Sequence, residues 1–273
     1  MIDYGFGVTG MGKRKTNKKT NYISSQYGRF GELIYYLVLI SFIVPIAFLI
    51  YRITTMDGAE SAIGPHSRAD YVLMLVQCIL GLFVIHIPSI LSHRLKFDLP
   101  GFLFIMYILF LYCGIFLGEV RSFYYNVPHW DDFLHAVSSM MTGFFAFMAV
   151  TILNRDENLI FRLSPFFVAL FAFVFSVAIG AVWEVYEFVA DGILGMNMQK
   201  FITGEGVVLV GHAALTDTIK DIIVDIIGAL VSSVIGYISI KHSMRWLIPS
   251  LHDNKDTVQT EAELTSDYAG KEE

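Results

Sequence analysis

Six apolar runs, each near the length of a membrane span, constrain this chain more than any other feature. They are Leu33–Tyr51, Tyr71–Leu91, Gly101–Val120, Phe133–Leu153, Pro165–Ala190 and Thr216–Ile240. A helix crossing a hydrocarbon layer about 30 Å thick needs about 20 residues. Lipid offers the backbone no hydrogen-bond partner, so each run is expected to close its bonds within itself, as a helix. Composition agrees: of 273 residues, 55% are hydrophobic and 16% charged, against about 25% charged in a soluble domain. The expected fold class is all-α, a polytopic membrane bundle of about six transmembrane helices. Pro45 and Pro88 fall inside spans and are expected to kink them.

The flanks of the runs set the domain boundaries. Residues 1–30 carry Lys13, Arg14, Lys15, Lys18, Lys19 and Arg29 and read as a basic cytoplasmic arm. The apolar run after it is too long for a signal-peptide core, and no small-residue cleavage site follows. Residues 31–245 form the six-helix domain, and residues 246–273 read as an acidic, disordered cytoplasmic tail. Part of the net charge of -6 sits in that tail, so it says little about partners. The basic cluster is the usual topological anchor, and no nucleic-acid partner is expected. Arg94, Lys96, Arg155, Arg162, Lys241 and Arg245 fall on the same side as the arm. By the positive-inside rule both termini face the cytoplasm of a cell membrane. Cys78 and Cys113 each lie within an apolar run and read as packing residues.

With that orientation, the ionisable groups inside the spans collect near the external ends of the last three. The fourth span opens with Trp130-Asp131-Asp132-Phe133-Leu134-His135, where His135 shares a helix face with Asp131 or Asp132. The fifth closes with Glu184, Glu187 and Asp191 on one face. The sixth carries Asp217, Asp221 and Asp225, spaced by four and so near one stripe. Asp225 lies about 12 Å deeper along the axis than Asp217. A carboxylate at that depth costs about 2.5–3.5 kcal/mol on insertion scales, so it needs a partner, a proton or a polar cavity.

Each residue also has a structural reading. A lone histidine near a helix start is more often hydrogen-bonded than metal-bound. Asp131 or Asp132 suits a helix N-terminus, and Thr216 or Asp217 suits an N-cap. Trp130, Trp183, Tyr124, Tyr125 and Tyr186 suit an interfacial belt. The 192–211 connection reads as a lid or re-entrant loop. These readings do not account for Glu184, Asp221 and Asp225 together, because several acids at depth on different helices are costly unless they serve a site.

The Trp-Asp-x-x-x-His run at 130–135, the Glu-x-x-Glu pair at 184–187 and the Asp-Thr-x-x-Asp run at 217–221 resemble the YjdF-like family of bacterial multipass inner-membrane proteins. The Asp-plus-His helix start resembles the VanZ-like membrane proteins more faintly. The resemblance covers roughly residues 100–240 and implies a shared polar membrane site, but not a reaction.

Residue chemistry supplies the rest. Carboxylates crowded in a low dielectric share protons or bind cations. Histidine with several carboxylates suits Zn, Mn, Mg or Fe, and the oxygen excess favours the harder ions. His135, Glu184, Glu187, Asp217 and Asp221 are the candidate ligands of a divalent metal (Zn, Mn or Mg). Asp225, Asp132 and Arg121 are the candidate catalytic residues, with Asp225 as a partner of the metal site or proton acceptor and Arg121 to hold a phosphate. The site would lie just below the headgroups, at a depth suited to a lipid or lipid-linked substrate of the envelope. A cation- or proton-coupled transporter is the second expectation, and a membrane scaffold or immunity-type factor the third. A transporter needs a second pathway inward, and no acidic ladder continues past Asp225.

Overall fold

The computed structural model describes residues 22–56, 68–95, 99–154, 163–203 and 206–242. Its elements are α1 (Tyr22–Thr55), α2 (Arg68–Val84), α3 (Ile87–Leu95), α4 (Gly101–Leu111), a π-helical segment (Tyr112–Val120), α5 (Phe123–Asn126), α6 (Trp130–Leu153), α7 (Pro165–Leu194) and α8 (His212–Lys241). Among the described residues, six helical stretches are long and apolar enough to cross a membrane, with α2–α3 and α4–π each making one of them. Among the described residues the only strand-like pairing is the bridge between Ile202 and Val208. The all-α bundle is therefore as expected. The expected tail, 246–273, and residues 1–21 of the expected arm lie outside the described residues; residues 22–30 form the start of α1.

Local chemistry explains several boundaries. Ser164 caps α7, its Oγ accepting from Phe167 N at 3.2 Å, with Pro165 as the first helical residue. The same helix stops at Gly195, whose φ of 66° favours glycine. The second span breaks at Ile85–His86 and restarts with Pro88 in the first turn of α3, so the kink falls just before that proline. Inside α1 the non-helical dihedrals are at Gly28 rather than at Pro45. α8 begins at His212 on Gly211, one turn before Thr216, so neither Thr216 nor Asp217 is its N-cap. Thr216 Oγ1 instead donates back to the His212 carbonyl at 2.9 Å.

The helices pack in two groups. α6, α7 and α8 contact one another, while α1 packs on α2 and on the α4–π span; α4 and α6 join the groups. Phe42, Leu103, Phe104, Ile108, Phe147, Val168 and Ala172 fill one buried core. Between α6, α7 and α8 the packing is by small residues. A Cβ on Gly228 would come 2.7 Å from the Ala136 carbonyl oxygen, and one on Gly143 would collide with Ser232 Oγ. Ser139 Oγ donates to the Asp225 carbonyl at 2.6 Å, and Ser176 Oγ to the Ser139 carbonyl at 2.7 Å. Lipid removes the hydrophobic drive for helix association, so close backbone approach and interhelical hydrogen bonds hold these three together. Val44, Phe83, Phe166, Val182, Phe188 and Leu230 are exposed on the outer faces, as lipid-facing side chains would be.

Candidate metal centre

The three small-residue helices carry the acidic groups into their shared interior. His135 enters from α6, Glu184 from α7, and Asp221 and Asp225 from α8; none is more than 6% exposed. His135 Nδ1 lies 3.3 Å from Asp225 Oδ2, and its Nε2 lies 3.7 Å from Glu184 Oε1. The His135 ring and the Asp225 carboxylate are thus within hydrogen-bonding distance across α6 and α8. One donor atom each from His135, Glu184 and Asp221 fall within 4.8 Å of one another. Gly180 makes room for this arrangement, since a Cβ there would collide with the Asp225 carboxylate.

Several of these oxygens are orphaned. Both carboxylate oxygens of Glu184, Oδ1 of Asp221 and Oδ1 of Asp225 are sealed from solvent without a hydrogen-bond partner. Buried polar atoms are nearly always paired, because leaving one unpaired costs about 1–3 kcal/mol and more when it is charged. A cluster of unpaired buried oxygens facing an imidazole has the chemistry of a ligand set for a divalent ion.

Nearer the helix ends a second group forms. Asp131, Asp217 and Asp221 again bring one oxygen each to within 4.8 Å of one another, with Asp131 and Asp217 partly exposed. Asp217 Oδ2 is buried and has no hydrogen-bond partner. Lys200 Nζ reaches Asp131 Oδ2 at 3.4 Å and lies 4.7 Å from the centre of the Tyr124 ring. Burial opposes the Lys200 charge, but Asp131, Glu187, Tyr125 and Glu119 outweigh it and raise its pKa above the usual lysine value. Burial, then Glu119 and Asp131, hold the Tyr124 phenol well above its usual range. Tyr124 therefore does more than sit in an aromatic belt: it is a neutral platform beneath a lysine.

The 195–211 connection brings Lys200 there. Asp191, at the end of α7, accepts from Met198 N at 2.7 Å and Gln199 N at 2.9 Å through its two oxygens. The Asn197 amide donates to the Ile202 carbonyl and accepts from Ile202 N. Gln199 Nε2 donates to Thr218 Oγ1 at 2.8 Å, tying the loop to α8. Lys200 itself has a φ of 51°, a conformation that L residues seldom adopt outside glycine and asparagine. Residues 195–203 thus lie folded against the site.

Not every residue singled out in the sequence joins either group. Glu187 is buried, but its Oε1 accepts from Trp183 Nε1 at 2.9 Å, one turn away on the same helix. Asp132 is held by Lys220 Nζ at 2.6 Å and by His129 Nδ1 at 2.7 Å, while its neighbour Asp131 turns toward α8. Arg121 is exposed just past the π segment and makes no ion pair among those found within the described residues. Asp131 is expected in the acidic cluster but not among the ligands, and Lys200 is not expected at the site. The i,i+4 spacing of Asp131 and His135 signals the first; no local sequence signal marks the second, which arrives by the loop's fold.

A protein family described as a predicted membrane protein (DUF2238) matches residues 33–242, a stretch that contains every residue of both acidic groups. An uncharacterized protein of Thermotoga maritima is 30% identical over 122 residues, 44% of this chain and 54% of that relative, so the match spans about half the relative's length. No solved structure matches the chain. The chain belongs to the DUF2238 family of predicted membrane proteins.

Proposed function

We propose that this membrane protein is a metal-dependent enzyme, a hydrolase of a lipid or lipid-linked substrate of the cell envelope. The observation that carries the reading is the convergence of His135, Glu184 and Asp221 from three helices, with unpaired buried oxygens on both acids. In this reading Asp225 orients the His135 ring through Nδ1 and leaves the Nε2 lone pair for a metal. A Zn, Mn or Mg ion there would activate water or polarise a phosphoryl or acyl oxygen. Asp131 and Asp217 widen the anionic rim, and Lys200 rather than Arg121 is the cation placed to meet a substrate phosphate.

The substrate class rests on position and topology. In the proposed orientation both termini are cytoplasmic and the protein sits in the cell membrane with the site toward its outer face. The resemblance of the 130–135, 184–187 and 217–221 runs to the YjdF-like family belongs to the same reading, as support for a shared polar membrane site.

Transport of protons or cations through the same carboxylates is the competing function. Beyond Asp225, the buried polar residues of α6–α8 among the described residues are serines, and Gly143, Gly228 and Gly236 hold the helices in close contact. That favours a one-sided site over a pathway.

The experiment is metal analysis of full-length protein purified without chelator, with Asp221→Asn and Glu184→Gln beside it. About one divalent ion per chain in the wild type, and much less in either folded variant, is the expected result. Wild-type protein that holds no metal, and whose melting temperature ignores added Zn, Mn or Mg, would refute it.

A further inference from the structure

Two ligand groups share one residue here. Asp221, 1% exposed, belongs both to the inner group with His135 and Glu184 and to the outer group with Asp131 and Asp217. A carboxylate has two oxygens and about four lone-pair sites, enough to serve a cation on each side. Asp221 Oδ1 and Asp217 Oδ2 are buried oxygens without hydrogen-bond partners. These orphaned atoms distinguish the outer group from an ordinary surface cluster of acids, whose oxygens face water. Asp131 meets Lys200 at 3.4 Å, and the same ammonium donates to the Met198 carbonyl at 3.0 Å, so the charge beside the outer group comes from a side chain on the loop after α7.

We propose that the centre is dinuclear, with Asp221 bridging an inner ion held by His135 and Glu184 and an outer divalent ion held by Asp131 and Asp217. The proposal rests on the metal-site reading above and extends it. The inner set, with an imidazole and complete burial, holds its ion more firmly. The outer set is all oxygen and partly exposed, so it suits a harder, exchangeable ion such as Mn or Mg. The Lys200 ammonium competes for Asp131 and weakens the outer ion. A pair of ions across one bridging carboxylate is the arrangement that clamps two oxygens of a phosphoryl group, which narrows the substrate class to a phosphate ester or diphosphate of an amphiphile.

The test is Mn(II) titration of the full-length, detergent-solubilised protein, followed by calorimetry and by electron paramagnetic resonance. The wild type should take two ions per chain in two unequal steps, and the spectrum at saturation should show spin coupling between them. Asp217→Asn and Asp131→Asn should each remove the weaker step and the coupling while keeping the first ion. Lys200→Gln should tighten the weaker step severalfold, an effect that a merely structural lysine would not have. His135→Gln should instead weaken the tighter step. Saturation of folded wild type at one uncoupled ion, unchanged by Asp217→Asn, would overturn the dinuclear centre and leave the single-metal reading standing. Binding of no ion at all would overturn both.

Discussion

His135 Nδ1 and Asp225 Oδ2 lie 3.3 Å apart between α6 and α8, and the bare Cα of Gly180 on α7 closes the third side. Three helices thus fix one imidazole by one carboxylate, in a space that a single methyl group would fill. The Asp225 backbone is held as well, through its carbonyl and Ser139 Oγ. Truncating Asp225 should therefore free the ring while leaving the helix contact. Metal affinity should fall about 10–100-fold in Asp225→Ala, and Asp225→Asn should keep part of it, since the amide oxygen still accepts from Nδ1. Wild-type affinity in both variants, measured by competition with a chromophoric chelator, would show that Asp225 does not position the histidine.

Gly180 and Gly192 lie on the same helix and make opposite predictions. A Cβ at Gly180 meets the Asp225 carboxylate, whereas one at Gly192 meets nothing within 4 Å. Gly180→Ala should destabilise by about 1–3 kcal/mol through overpacking and should also lower bound metal. Gly192→Ala should be neutral or stabilising by up to about 1 kcal/mol, since alanine is the better helix former. Thermal unfolding of the two in one detergent separates them; equal melting temperatures would mean that the packing around Asp225 is loose.

Glu184 and Glu187 look alike in sequence and differ in the fold. Glu187 is engaged by Trp183 at 2.9 Å, whereas Glu184 has no hydrogen-bond partner and faces His135. Glu184→Gln should lose most of the bound metal, and Glu187→Gln should retain it. Metal content measured after desalting decides the matter, and loss in both variants would place Glu187 among the ligands.

The loop that carries Lys200 hangs on Asp191, whose carboxylate accepts two backbone N–H groups. Each such bond contributes about 0.5–1.5 kcal/mol. Asp191→Ala should speed amide hydrogen exchange across 196–203 by about tenfold or more, with α8 beyond Asp225 unaffected. Unchanged exchange in the loop would show that Asn197 and Gln199 hold it without Asp191.

The orientation proposed from the basic residues is open to reporter fusions. A reporter that is active only outside the cytoplasm should work after Gly195 and fail after Ser250. The reverse pattern would put the acidic site on the inner side and remove the envelope substrate from the proposal.

Much of this protein can be read from the chain alone. Apolar length dictates six spans, because lipid forces each to satisfy its own backbone, and α4–π and α7 begin where their apolar runs begin. Helical period places His135, Glu184, Asp221 and Asp225 on inward faces, because charge at that depth cannot face lipid. Period is blind to how a helix is rotated against its neighbours. Asp131 and Asp132 are consecutive, about 100° apart around α6, and only the contacts with Lys200 on one side and with Lys220 and His129 on the other decide which serves the site. Glu187 is buried like Glu184, and only the structure shows that its Oε1 is taken by Trp183 Nε1 rather than offered to either ligand group. Lys200 lies far in sequence from Asp131 and enters only because the loop pinned by Asp191 folds back over the helix ends. Burial and span length follow from what each residue costs in lipid, and so are written locally. Pairing depends on helix rotation and loop path, which only the closed packing of α6, α7 and α8 around Gly180 and Gly228 determines.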